Sequence, residues 1–110
     1  MTTEKGDMTG GTKGREEPRE SPGKVNTLLK NSIGNSIDML VEYLADNNIH
    51  DIHPLIIGEV EKRLIIKALE RSRGNKVQAA RILGMSRNTF LRKIQKLTSE
   101  GIRLYKGRLT

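Results

Sequence analysis

The sequence predicts an all-α chain, a four-helix subunit ending in a helix-turn-helix. Three observations predict it. Apolar residues recur every three or four positions through most of residues 28–97. Clusters and single residues that favour turns (Asp46-Asn47-Asn48, Gly74, Gly84) separate those stretches. No segment alternates with period two between hairpin turns, apart from a weak hint at Ile102 and Leu104. At 110 residues the chain holds one domain.

Residues 1–24 contain two apolar side chains, Met1 and Met8, and are rich in Gly, Thr, Glu, Lys and Pro. Such a segment buries too little surface to offset its ordering entropy and reads as a disordered tail. The domain is expected over residues 25–110, with dimerisation helices at 28–72, a helix-turn-helix at 73–98 and a basic tail at 99–110. The first helix is expected from about Leu28 or Ser32 to Asn47, because Ile33, Ile37, Leu40, Val41 and Leu44 make one stripe. A second should begin near Pro54, where a proline suits the first helical position, and run to Ser72 with Gly74 as its stop.

Apolar residues lie almost all round this second helix, from Leu55, Ile56 and Ile57 through Val60, Leu64, Ile65 and Ile66 to Ala68 and Leu69. A helix apolar on most sides is buried on most sides. Few other elements of so short a chain are left to cover it, so a second copy is expected to do so. The expected homodimer interface comprises Ile37, Leu40, Val41 and Leu44 of the first helix, with Ile56, Ile57, Val60 and Leu64 of the second. Gly58, costly by about 1 kcal/mol inside a helix, would suit a close helix crossing.

Residues 74–97 spell a short helix, a tight turn and a second short helix. Ala79 and Ala80 are small enough to let another helix approach. Gly84, four residues on, admits the positive φ of a sharp turn. Ser86 is a fitting N-cap, its hydroxyl within reach of the Asn88 or Thr89 amide. Winding Arg87–Leu97 at about 100° per residue gathers Phe90, Ile94 and Leu97 on one face, with Leu91 at its edge. Asn88, Arg92 and Lys96 stack on the other, flanked by Thr89, Gln95 and Lys93.

Charge sharpens this reading. Residues 62–110 carry fourteen bases and two acids, a net of +12, whereas residues 25–61 carry one base and six acids. So asymmetric a chain points to a polyanionic partner. A cationic, amide-bearing face on an exposed short helix suits a DNA major groove, where Arg bonds guanine and Asn bonds adenine through two hydrogen bonds each. The first turn of that helix, with the Ser86 and Thr89 hydroxyls, suits a phosphate. Binding of this helix to a membrane is not expected, since its apolar face is needed for docking on the helix before it.

Gly74-Asn75, Ala79-Ala80, Leu83-Gly84 and Arg87-Asn88-Thr89 with Arg92-Lys93 resemble the helix-turn-helix of the Fis family, a motif that also closes enhancer-binding regulators of the NtrC type. Upstream, Asn31-Ser32-Ile33, Pro54-Leu55-Ile56 and Glu59-Val60-Glu61 are similar to the dimer helices of Fis, so the resemblance covers roughly residues 28–97. It implies an intertwined homodimer whose two recognition helices sit closer than one DNA turn, so that binding bends the duplex. Carried over by position, Asn75, Ser86, Arg87, Thr89, Arg92 and Lys93 match family DNA contacts. Lys76, Asn88 and Lys96 complete the candidate set. Leu91 stands where Fis has an arginine, and Val77-Gln78 replace a Thr-Arg pair. Residues 1–24 show no counterpart of the Fis hairpin arm that touches a recombinase.

Other chemistry is not expected. The chain has no cysteine, hence no disulfide, thiolate nucleophile or Cys-ligated zinc. Gly6 to Lys13 is a near miss to a phosphate loop, with Thr12 and Lys13 in the wrong order and no strand before it. His50 and His53 have only Asp51 as a neighbouring ligand type, which favours capping or solvation over a metal. No catalytic triad or carboxylate pair is evident, so neither enzyme activity nor a cofactor is expected. No signal peptide is read at the N-terminus and no membrane span anywhere. The expectation is a cytoplasmic bacterial protein of the nucleoid, binding double-stranded DNA as a homodimer, with RNA polymerase or another transcription protein as a further partner. The alternatives are the DNA-binding end of an NtrC-type regulator, and a basic helical adaptor for acidic proteins. Residues 98–110, with Arg103, Lys106 and Arg108, are expected to be frayed rather than an added DNA contact.

Overall fold

The computed structural model describes Arg19 and residues 21–110. The tail expected over residues 1–24 falls, for 1–18 and 20, outside the described residues. Its last residues do not fit that expectation: helix α1 spans Pro22–Leu29. Ser21 caps it, its Oγ accepting from the Lys24 amide at 3.3 Å, and Pro22 takes the first position, where no amide is needed. The Ser-Pro pair was the sequence signal for this earlier start.

A π-helical turn, Lys30–Gly34, follows α1, and α2 (Asn35–Asp46) follows that, all in right-handed helical backbone. Around this turn three polar side chains donate to carbonyls four residues back: Thr27 to Gly23, Ser32 to Leu28 at 2.6 Å, and Asn35 to Asn31. Back-bonding of this kind loosens the regular helical ladder. The chain divides after Tyr43 into two compact units. In residues 22–43 no side chain is buried, and Leu28, Met39, Leu40 and Tyr43 are among those most open to solvent.

Within Leu44–Thr110, α3 spans Ile52–Arg71, α4 Lys76–Leu83 and α5 Arg87–Ser99. Helix α3 starts two residues before Pro54, which therefore stands in the first turn rather than at its first position. Only its C-terminal half is buried, through Ile65, Ala68 and Leu69. Leu55, Ile57 and Leu64 remain about half exposed, at 55%, 49% and 47%. So α3 is covered on one side by its own chain, not on most sides, and a Cβ placed on Gly58 would meet no other group within 4 Å.

The end of α3 differs from expectation in a telling way. The Gly74 amide donates to the Leu69 carbonyl at 2.8 Å and the Arg73 amide to Glu70 at 3.2 Å, a Schellman closure. The left-handed residue that closes it is Arg73, at φ +56°, not glycine. Gly74, at φ +83°, turns the chain once more toward Asn75. Ser72 is buried and donates to Leu69.

The core joins Ile65, Ala68 and Leu69 of α3, Ala79 and Ala80 of α4, Phe90 and Ile94 of α5, and Leu104. The alanine pair does what its size allows, with 0% and 3% exposure where α4 meets its neighbours. Leu104 belongs to a segment expected to fray. Instead residues 102–110 pack back: Leu104 is buried, Tyr105 and Leu109 lie against the core, and the Thr110 amide donates to the Gly74 carbonyl at 2.7 Å. Burying a leucine is worth about 1.5–3 kcal/mol, which offsets the ordering of one or two residues at about 1–2 kcal/mol each, and Ile102, Tyr105 and Leu109 add their own packing to it. Among the described residues no strand forms, and no helix is long and apolar enough to cross a membrane.

Candidate nucleic-acid interface

The turn between α4 and α5 is built as its residues dictate. Gly84 adopts φ +74°, and the Met85 amide donates to the Ala80 carbonyl at 2.9 Å, closing α4. Ser86 then leaves the helical region and caps α5, accepting from the Thr89 amide at 3.2 Å. On the far side of the motif Asn75 caps α4, its Oδ1 accepting from the Gln78 amide at 3.0 Å.

Helix α5 divides into the two faces its periodicity predicts. Phe90 is fully buried and Ile94 nearly so, with Leu97 partly buried against them. Arg87, Asn88, Arg92, Gln95 and Lys96 are exposed. Three side chains are linked along the first turns: the Ser86 hydroxyl donates to Thr89 Oγ1 at 2.9 Å, and Arg92 Nη2 donates to the same oxygen at 3.4 Å. Thr89 Oγ1 thus joins the Ser86 cap to the Arg92 guanidinium in one small polar network at the start of α5. Sequence spacing alone did not show this bridge.

Lys93 is set apart from the other candidates. Its ammonium pairs with Glu61 of α3 at 2.9 Å, both side chains about one-third exposed. It stands on the flank of α5 that faces α3, where the sequence reading had it on the groove-facing side. Lys76 lies in the first turn of α4, half-buried, beside the Asn75 cap. Among the expected dimer residues of α3, Ile57 and Leu64 are exposed and Ile56 and Val60 partly buried. Among those of α2, Leu40 and Val41 are exposed and Ile37 and Leu44 partly buried.

Residues 56–97 match the family model of the bacterial regulatory protein, Fis family. They form a Fis-family helix-turn-helix domain. The matched segment takes in most of α3, all of α4 and α5 up to Leu97, so the docked trihelical unit and the family boundary nearly coincide.

Two kinds of protein resemble the chain beyond this Fis-family segment. The transcriptional regulatory protein ZraR of Escherichia coli (strain K12) is 34% identical over 90 residues, covering 68% of this chain and 20% of that protein. The DNA-binding protein Fis of Aliivibrio fischeri (strain MJ11) is 29% identical over 68 residues, covering 62% of this chain and 69% of that protein. Fis of Histophilus somni (strain 2336) is 28% identical over 71 residues, covering 64% and 72%. The chain therefore spans about a fifth of the length of ZraR and about two-thirds that of Fis. No solved structure matches it significantly.

Proposed function

We propose that the chain binds double-stranded DNA as a homodimer, each copy laying α5 in a major groove, and that binding bends the duplex. The observation that carries this reading is the two-faced α5: Phe90 and Ile94 lock one side into the core while Asn88, Arg92 and Lys96 stand exposed on the other. A rigidly docked helix with cationic and amide groups outward is the form that base-edge reading takes. Asn75, Lys76, Ser86, Arg87 and Thr89 supply phosphate contacts around it. Lys93 joins them when it leaves Glu61.

Dimerisation rests on the apolar side chains that one copy leaves open, Leu40, Val41, Ile57 and Leu64 foremost. Exposed large apolar surface of this kind marks a contact face. The setting that fits is bacterial transcription regulation or chromosome organisation, in the cytoplasm, without catalysis. The similarity to ZraR supports a second reading, in which the same domain is the DNA-binding end of an NtrC-type regulator. The groove chemistry is the same in both.

Sedimentation of the chain, alone and with duplex DNA, tests the proposal. A two-copy species that binds duplex is expected, and Val60→Asp should dissociate or unfold it by burying an unpaired charge. A wild-type chain that binds as a lone subunit, or a dimeric and folded V60D variant, contradicts it. Circularly permuted fragments with differing mobilities are the expected sign of bending.

A further inference from the structure

Residues 102–110 follow the family-matched segment, and their packing gives them a surface of their own. Leu104, Tyr105 and Leu109 face inward, while Arg103, Lys106 and Arg108 are exposed. The segment is fixed at two places. Leu104 sits in the core at 5% exposure, and Thr110 is tied to Gly74 through both its amide and its hydroxyl.

Glycine is required where the segment meets the α3–α4 turn. A Cβ on Gly74 would strike the Arg108 carbonyl oxygen and lie 2.8 Å from the Tyr105 ring, and a Cβ on Gly107 would lie 2.8 Å from the same ring. The Arg108 backbone is thereby held against Gly74, one residue from the Asn75 cap of α4. Arg73 and Lys76 flank that turn. No acid occurs from residue 71 to residue 99 or from 101 to 110. Glu70, which shares a cavity wall with Arg103 and Lys106, is already paired with Lys67 at 3.3 Å. Arg73, Lys76, Arg103, Lys106 and Arg108 pair with no acid among the described residues.

We propose that residues 102–110 form an ordered cationic strap that grips DNA phosphates flanking the helix-turn-helix, extending the backbone contact that begins at Asn75 and Lys76. The proposal rests on the reading of the domain as a DNA binder. An unneutralised row of bases, held by apolar anchors beside a phosphate-contacting turn, adds to the counterion release on binding without reading sequence.

The test compares the full chain with an R103Q/K106Q/R108Q variant, whose substitutions touch only exposed side chains. Duplex affinity is measured across a range of salt, with thermal melting and hydroxyl-radical footprints on the same samples. With three bases removed from each of the two copies, the variant should lose up to about 5.4 from the slope of log affinity against log salt, at roughly 0.9 per phosphate. Its footprint should shorten at the outer flanks, with melting unchanged. An unchanged slope and footprint overturn the strap and leave the helix-turn-helix reading intact. A lower melting temperature alongside the loss assigns these residues to packing and also overturns the strap. Failure of the wild-type chain to bind duplex overturns both.

Discussion

Lys93 and Glu61 meet at 2.9 Å across the junction of α5 and α3. This pair holds α5 by its flank and occupies a base that the proposed DNA interface would otherwise use. Neutralising the acid should release it. Glu61→Gln is expected to steepen the salt dependence of duplex binding by roughly 1.8, the contribution of one phosphate from each copy of the dimer. The stability cost should be small, about 1 kcal/mol for a single, partly exposed pair. Affinity titrations at several salt concentrations check this, and an unchanged slope means that Lys93 stays on its flank in the complex.

Arg92 and Asn88 should act on specificity more than on general affinity. Arg92→Ala or Asn88→Ala is expected to narrow the gap between preferred and random duplexes by about 1–3 kcal/mol, the worth of a two-bond base contact. Lys96→Ala, further along the same exposed face, should instead weaken both duplexes alike, because an ammonium at the end of the helix attracts phosphate whatever the sequence. Selection of preferred sites from a random pool, repeated for each variant, separates the two behaviours.

Arg73 and Gly74 make opposite predictions although they are neighbours. Arg73 holds φ +56°, a left-handed conformation that costs a side-chain-bearing residue about 1–2 kcal/mol. Arg73→Gly should therefore raise unfolding stability, by roughly 1 kcal/mol after glycine's greater freedom in the unfolded chain is counted. Gly74→Ala should lower it, by about 1–3 kcal/mol, from positive φ and collision with Tyr105. Chemical denaturation measures both, and loss of protection at the Thr110 amide should accompany the second.

Glu59 gives a signature in acid. Hydrogen bonds from Lys62 and then Arg63 hold its carboxyl below the ordinary carboxylate value. A depressed folded-state pKa means that its contribution is complete above the unfolded value near 4.5 and fades as pH falls through the lower, folded one. Glu59→Gln should flatten that part of the acid limb of stability against pH. The effect should shrink in salt, because the carboxylate lies at the solvent surface.

The motif was the most legible part of the chain because each of its signals is local. Ala79-Ala80, Gly84 and Ser86 specify a close approach, a turn and a cap within eight residues, and the structure uses each that way. The helix faces of α5 followed from periodicity for the same reason. What depends on distant partners was less legible. The Glu61–Lys93 pair joins residues 32 apart, and the Thr110–Gly74 contact joins residues 36 apart. Residues 102–110 were expected to fray because charge dominates their composition. Their inward residues Ile102 and Leu104, noticed as a weak alternation, belong to the packed segment. The early start of α1 was a local signal overlooked: Ser21-Pro22 stands inside a stretch whose average composition reads as a tail.

The most direct measurement is the equilibrium affinity of the purified chain for duplex DNA as salt is raised. If two copies together meet roughly 6–10 phosphates, affinity should fall by about 10³–10⁵ between about 50 and 200 mM salt. An excess of acidic polypeptide should displace the duplex poorly. A flat response to salt, or equal preference for the acidic polypeptide, would contradict the assignment of the α5 face to nucleic acid.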